Sequence, residues 1–269
     1  MTGERIRAYR GYVFDLDGTL YLDDELLPGA AETVTALRAS GARLAFLTNK
    51  PLERGSAYAA KLTALGLPVA ADEVVTSIDA LLAYLAANPP AGPIVAVTEP
   101  LLASILVEAG YALVADDRPD AAALVVVAFD RTFDYAKLER AFRAVRAGAR
   151  IVATNPDPWC PTADGGIPDC AAMLAAIEAS TGARAEAIVG KPSAHMARTL
   201  LDRLQLRPED VLVVGDRLLT DVALAHAAGM DAALVLTGAT RAEDVGSAGR
   251  APEHVLTRLR DLIPEGDDG

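Results

Sequence analysis

Short apolar runs rich in Val, Ile and Leu alternate along this chain with longer, alanine-rich stretches of helical period. Strands that are buried on both faces have such a composition, and helices are needed to cross from one parallel strand to the next. The alternation therefore predicts an α/β fold built on a buried parallel sheet. The predicted strands are Tyr12–Asp15, Leu44–Thr48, Ile94–Val97, Leu124–Ala128, Ile151–Ala153, Val211–Val214 and Ala233–Val235, and helices are predicted over Ala30–Ser40, Asp134–Ala147 and Ala194–Leu204.

The composition narrows the class of protein. The chain has 269 residues, of which 52% are hydrophobic, enough for a real core and too many for a disordered protein. Its 25 Lys+Arg against 37 Asp+Glu give a net charge of −12, which argues against a nucleic-acid-binding surface. The longest apolar run, Ala121–Phe129, is too short to span a bilayer, and the first residues contain no apolar leader, so we expect a cytoplasmic protein that binds no membrane. Cys160 and Cys170 lack the spacing of a metal or redox motif and are expected to be reduced thiols.

The predicted strand ends that are followed by candidate catalytic or ligand-binding residues lie near the two termini of the chain. They lie before residue 50 and after residue 188, and a second set of strands and helices with its own apolar runs lies between them. This arrangement predicts a discontinuous domain of residues 1–77 and 188–269 that is interrupted by an inserted domain of residues 78–187.

The first predicted strand runs directly into Asp15-Leu16-Asp17-Gly18-Thr19. Ligands of parallel sheets collect at the carboxyl ends of strands, and Gly18 lets the chain turn so that both carboxylates can converge on one ligand. Such a pair suits covalent phosphoryl transfer, in which one Asp attacks phosphorus and the other handles the leaving-group proton. Two carboxylates this close also need a cation. The alternative interpretation is an acidic turn.

Three further strand ends carry polar groups. Thr48-Asn49 follows the second strand and could bind phosphoryl oxygens, or could equally cap the next helix. Lys191, one of only four lysines, lies between Gly and Pro, where its ammonium can be aimed as a point charge; the alternative is an exposed turn lysine. Asp216 directly follows a buried strand, and Asp221 comes five residues later. Carboxylates so placed suit Mg²⁺, although Asp221 could simply favour a helix start.

These four motifs in this order resemble those of the haloacid-dehalogenase-like hydrolases. The long insertion after Thr48 is similar to the type that carries a C2 cap, which implies a Rossmann-like doubly wound core with an inserted α/β cap domain. The resemblance extends to the NagD-like, p-nitrophenyl phosphatase group, subfamily IIA. It is carried there by Asp130, Phe133, Tyr135, Lys137 and Leu138, and by the segments Ala153–Asp157, Gly190–Ser193 and Leu236–Gly238.

The resemblance implies a Mg²⁺-dependent phosphatase of small phosphomonoesters, with sugar phosphates slightly favoured and p-nitrophenyl phosphate as an artificial substrate. Asp15 would form an aspartyl-phosphate, and Asp17 would act as general acid and then as general base. Thr48, Asn49 and Lys191 would hold the phosphoryl oxygens. Asp15, the main-chain carbonyl of Asp17 and Asp216 would bind Mg²⁺, with Asp221 behind them or on a bound water.

Cap residues Asn155 and Asp157 are expected to contact the substrate, a small phosphorylated metabolite. A homodimer is compatible with the resemblance. Pro168-Asp169-Cys170 stands where many relatives have a glycine-rich helix start, so substrate identity does not transfer. A phosphomutase would share every core motif, and a catalytically dead module that binds a phosphometabolite would share the scaffold. A dehalogenase would need neither the metal nor Asp17.

Overall fold

The computed structural model describes residues 6–115, 117–160, 165–247 and 250–263. The chain forms two compact units, the first made of Met1–Thr48, Gly55–Val75 and Lys191–Gly269, the second of Asn49–Arg54 and Thr76–Gly190. The sequence did not indicate that the short segment Asn49–Arg54 belongs to the second unit. The predicted division at residues 77 and 188 into a catalytic core and a cap stays a prediction.

The first unit is built on a six-stranded sheet. Its strands lie in the order β14 (His254–Leu256), β13 (Asp231–Val235), β12 (Val211–Gly215), β1 (Gly11–Asp15), β4 (Arg43–Thr48) and β5 (Val74–Thr76). Strand β1 lies at the switch point of this order, between β12 on one side and β4 on the other, and both neighbours run parallel to it. Ligands bind beyond the carboxyl ends of strands at such a point. The unit also contains the short strands β2 Tyr21–Leu22 and β3 Glu25–Leu26.

Apolar side chains fill both faces of this sheet. All residues of β1 and β12 are buried, and the rings of Phe14 and Phe46 on neighbouring strands stack with centroids 6.2 Å apart. Burying such a side chain stabilises the fold by about 1.5–3 kcal/mol. The helices of this unit are α1 Ala30–Ala39, α2 Gly55–Ala64, α7 Ala194–Leu204 and α8 Ala223–Ala228.

The second unit has its own parallel sheet, in the order β11-β8-β7-β6, and its own core. Val125, Val127, Ile151 and Ile177 are at most 1% exposed within that core. Its strands are β6 Ile94–Val97, β7 Leu124–Val127, β8 Arg150–Ala153, β9 Trp159–Cys160, β10 Ile167–Pro168 and β11 Ala187–Ile188, and its helices are α3 Ser77–Ala87, α4 Pro100–Glu108, α5 Tyr135–Arg146 and α6 Cys170–Thr181.

The predicted α/β class and the parallel sheet are confirmed, and each predicted strand and helix matches an observed element to within two residues at either end. The strands that periodicity missed, among them β5 and β11, have three residues or fewer, too few to show a pattern. Cys160 and Cys170 are both buried and are not joined by a disulfide, and burial raises the pKa of the Cys170 thiol to about 12. No helix in the described ranges is long and apolar enough to cross a membrane.

Candidate active site

Asp15 is the last residue of β1 and is buried in the first unit. The parallel neighbours of β1, which are β4 and β12, end at the same edge of the sheet. Asp15 pairs in register with Leu47, so that Thr48 is the next residue along β4. The chain then turns sharply, because Gly18 adopts φ 84° and its N–H donates to the carbonyl of Tyr21 at 2.9 Å. This left-handed conformation suits glycine because it has no Cβ. The turn places Asp17 at a half-buried position, where Tyr21 Oη donates to its carboxylate at 3.4 Å.

Lys191 carries a buried ammonium that two carboxylates share. Its Nζ donates to Oδ1 of Asp15 and, at 2.7 Å, to Oδ1 of Asp221. Burial disfavours the charge of Lys191, but the carboxylates of Asp15 and Asp221 outweigh that effect, and its pKa is raised. Lys191 is therefore a cation at neutral pH. The alternative of an exposed turn lysine is wrong, because Lys191 is only 4% exposed.

Asp221 is fixed by the turn that follows β12. A π-helical turn, Leu218–Val222, brings Asp221 back beneath the strand end, where its Oδ2 accepts from the N–H of Arg217 at 3.1 Å. A Cβ on Gly215 would overlap this carboxylate, so the close approach needs a glycine there. The expectation that Asp221 stands behind the metal ligands or on a bound water stays a prediction; in the structure its Oδ1 accepts from Lys191 Nζ.

Asp216 is the carboxylate whose oxygens are least satisfied. Its Oδ2 accepts from the N–H of Ala239 at 2.6 Å, but its buried Oδ1 has no hydrogen-bond partner among the described residues. Burial and the charge of Asp221 raise the pKa of Asp216 to about 6. A buried carboxylate oxygen without a donor costs free energy, so binding of a cation by this atom would be favourable.

A loop after β13 holds Asp216 from the other side. Thr237 Oγ1 donates to the carbonyl of Gly18 at 2.7 Å, and the neighbouring Gly238 approaches so closely that a Cβ on it would overlap the Asp216 carboxylate. The sequence predicts no separate role for Thr237 or Gly238, because the segment Leu236–Gly238 carries only the family resemblance.

The carboxylates fit a divalent cation. Asp15, Asp216 and Asp221 each offer an oxygen, and these three oxygens lie within 4.8 Å of one another. Lys191 compensates one of the three negative charges. Hard oxygen ligands with excess negative charge are the donors that Mg²⁺ takes. The free Oδ1 of Asp216 is therefore explained if a cation binds here.

The remaining candidate site residues, which are predicted to bind phosphate or substrate, are divided between the two units. Thr48 ends β4 in the first unit and is 3% exposed. Asn49, Asn155 and Asp157 lie together in the second unit, where the carboxylate of Asp157 accepts from Nδ2 of both asparagines at 2.8 Å. Their contact with phosphate or substrate stays a prediction.

Comparisons with known proteins agree on one family. A family model of the haloacid dehalogenase-like hydrolases matches residues 12–112, and a second model, of HAD-hydrolase-like proteins, matches residues 188–262. Sugar-phosphatase AraL of Bacillus subtilis is 32% identical over 259 residues, which cover 96% of this chain and 94% of that protein.

Solved structures give the same result. The 4-nitrophenylphosphatase of Thermotoga maritima has a TM-score of 0.88 and 35% identity, covering 94% of this chain and 96% of that one. NagD from E. coli K-12 has a TM-score of 0.86 and 29% identity, covering 96% and 99%. The chain therefore belongs to the haloacid dehalogenase-like hydrolases, in the NagD-like subfamily IIA, and is an enzyme of the phosphoric monoester hydrolase class.

Proposed function

We propose that this phosphatase hydrolyses small phosphomonoesters, sugar phosphates first among them, with Mg²⁺ and through an aspartyl-phosphate on Asp15. The observation that carries the proposal is the position of Asp15. This buried carboxylate ends a central strand of a parallel sheet, contacts the Lys191 ammonium, and lies near Asp216, whose Oδ1 has no donor among the described residues. Positioning and charge neutralisation are what phosphoryl transfer requires of a protein.

Asp15 performs the nucleophilic step. One of its carboxylate oxygens attacks phosphorus, the bond from phosphorus to the ester oxygen breaks, and Asp17 gives its proton to the departing alkoxide. Asp17 then takes a proton from water, whose oxygen attacks the phosphorus of the aspartyl-phosphate. Inorganic phosphate leaves and Asp15 regains its carboxylate. The half-buried position of Asp17, two residues after Asp15 on the Gly18 turn, supports this exchange of roles.

Lys191 and Thr48 hold the phosphoryl oxygens in this proposal. The Lys191 ammonium is kept charged by Asp15 and Asp221, and it lies where negative charge spreads as phosphorus is attacked. The Thr48 hydroxyl follows the residue that pairs with Asp15, at the end of the adjacent strand. The main-chain N–H of Asn49 would add a further donor.

Asp15, Asp216 and the main-chain carbonyl of Asp17 would hold Mg²⁺. Bound there, the ion would neutralise the carboxylates and the charge of the phosphoryl group. Asp221 already accepts from Lys191 and from the N–H of Arg217, so it serves best by orienting Lys191.

The substrate class is supported by the likeness to the Bacillus subtilis sugar-phosphatase. A screen for phosphate release from a panel of phosphometabolites, with p-nitrophenyl phosphate as reference, tests the proposal. We expect release that stops with a chelator and returns with Mg²⁺. Turnover that persists without a divalent ion, or in Asp15→Asn, would contradict the mechanism.

A further inference from the structure

Asn49, the residue directly after Thr48, is held within the second unit by contacts to three of its atoms. Its Nδ2 donates to Oδ2 of Asp157 at 2.8 Å, and its main-chain carbonyl accepts from Ser77 Oγ at 2.7 Å. Its Oδ1 lies against Gly190, where a Cβ would come within 2.6 Å of it. Asn49 is 8% exposed and Ser77 is fully buried, so water does not compete for these bonds.

The carboxylate of Asp157 ties this residue to the loop after β8. Asp157 Oδ2 also accepts from Asn155 Nδ2 at 2.8 Å, and Asn155 Oδ1 accepts from Thr154 Oγ1 at 2.9 Å. The N–H of Gly190 donates to the carbonyl of Thr154 at 2.7 Å. The same loop therefore holds the residue that follows Thr48 and the residue that precedes Lys191.

Both the amide nitrogen and the amide oxygen of the Asn155 side chain already form hydrogen bonds within the second unit. One amide group donates to two carboxylates, Asp157 at 2.8 Å and Asp169 at 3.2 Å, while its oxygen accepts from Thr154. Asn155 is 1% exposed. A substrate could reach this amide only by breaking a buried hydrogen bond, which leaves a costly unpaired group behind.

We propose that Asn49, Asp157, Asn155, Ser77 and Gly190 form a clamp that positions the two phosphate-holding residues through the main chain. The side chains of Asn49 and Asp157 act as positioning groups and do not touch substrate. The clamp fixes one peptide neighbour of Thr48 and one of Lys191, and small displacements of such groups slow a reaction steeply. This inference rests on the function proposed above.

Reversing the central hydrogen bond tests the clamp. Asn49→Asp places a second carboxylate against Asp157, and Asp157→Asn removes the charge that accepts both amides. The double variant, Asn49→Asp with Asp157→Asn, restores one amide facing one carboxylate with the roles exchanged. We expect kcat/KM to fall about 100-fold in Asn49→Asp and about 10-fold in Asp157→Asn, and to recover to within about 10-fold of wild type in the double variant.

The pattern across substrates separates positioning from substrate contact. A positioning role lowers kcat/KM by the same factor for p-nitrophenyl phosphate and for phosphosugars, because the phosphoryl group is common to both. A contact with the sugar would spare p-nitrophenyl phosphate. Tyr84→Phe is the matched control, since it removes a hydrogen bond to Glu186 elsewhere in the second unit and is expected to leave kcat/KM unchanged. Thermal unfolding and circular dichroism establish that each variant is folded.

Ser77→Ala keeps the test decisive if a charged variant does not fold. It removes only the hydroxyl that holds the Asn49 carbonyl, and we expect a loss of about 3- to 10-fold on every substrate. Three results would each contradict the proposed clamp. The first is unchanged kcat/KM in folded single variants, the second is a loss that spares p-nitrophenyl phosphate, and the third is a folded double variant that recovers no activity. A wild-type enzyme that releases no phosphate from any monoester would instead overturn the proposed function.

Discussion

Two buried aspartates, Asp130 of the second unit and Asp216 of the first, differ in how fully hydrogen-bond donors satisfy their carboxylate oxygens. Asp130, in the second unit, is fully buried, and both its oxygens are satisfied: Thr132 donates to one through N–H and hydroxyl, and Lys137 Nζ to the other at 2.5 Å. In the first unit, Lys191 donates to Asp15 and to Asp221, and Asp216 Oδ1 has no donor among the described residues.

This contrast separates a carboxylate that stabilises the fold from one that is available to bind a ligand. A buried carboxylate with a full set of donors has nothing left to bind and stabilises the local fold. A buried cluster with an unsatisfied oxygen and net negative charge is destabilised until a cation arrives, and such groups concentrate at functional sites. Burial alone would not have separated Asp130 from Asp216.

The largest expected effect comes from removing the nucleophile. Asp15→Asn should lower kcat for p-nitrophenyl phosphate by at least about 10⁴-fold, the scale of losing the attacking group in a covalent mechanism. The fold should persist, because the change removes one of three crowded negative charges. Steady-state kinetics and urea unfolding measure the two effects. Normal turnover in a folded variant would remove Asp15 from the reaction.

Asp130→Ala in the second unit should show the opposite pattern. It leaves the partly buried Lys137 ammonium without its carboxylate, and we expect the free energy of unfolding to fall by about 3–5 kcal/mol. Mg²⁺ affinity of the folded fraction should not change. Urea unfolding and calorimetric Mg²⁺ titration check this contrast, and a selective loss of Mg²⁺ binding would give Asp130 a role that its contacts do not show.

Gly238→Ala should weaken the cation site without touching a proposed ligand. A Cβ at this position overlaps the Asp216 carboxylate, so the oxygens must move. We expect Mg²⁺ to bind about 10- to 100-fold more weakly, as when outer groups that orient a metal ligand are changed. Gly246→Ala is the control, because a Cβ there meets no atom within 4 Å. Equal affinities in the two variants would show that the loop does not orient Asp216.

The pH dependence of Mg²⁺ binding should follow Asp216. Its pKa of about 6 in the metal-free site means that protons compete with the ion below that pH, and affinity should fall by up to about tenfold per pH unit. Because the folded pKa is raised, Asp216 contributes stability below its unfolded pKa of about 3.9, and this contribution is lost as pH rises through 6. Titrations between pH 5 and pH 8 measure the effect, and a flat affinity would contradict it.

The sequence predicted the strand ends that carry Asp15, Thr48 and Asp216, because buried parallel strands leave a clear apolar pattern and ligand groups follow directly after them. It could not predict the π-helical turn that brings Asp221 to Lys191, since that geometry depends on Gly215 meeting a side chain six residues away. It could not predict that Asn49 pairs with Asp157 either. That bond joins residues 108 positions apart, and no local pattern encodes it.

Calorimetric titration with Mg²⁺ at neutral pH is the decisive test of whether the buried carboxylates Asp15, Asp216 and Asp221 form a cation site. The samples are the wild-type enzyme, Asp216→Asn, and Asp169→Asn as a control that alters a buried carboxylate of the second unit. The predicted result is binding in wild type and in Asp169→Asn, and a loss of at least about 100-fold in affinity in Asp216→Asn. If Mg²⁺ does not bind to the wild-type enzyme, or binds with equal affinity to all three proteins, the carboxylates of the first unit do not form a cation site.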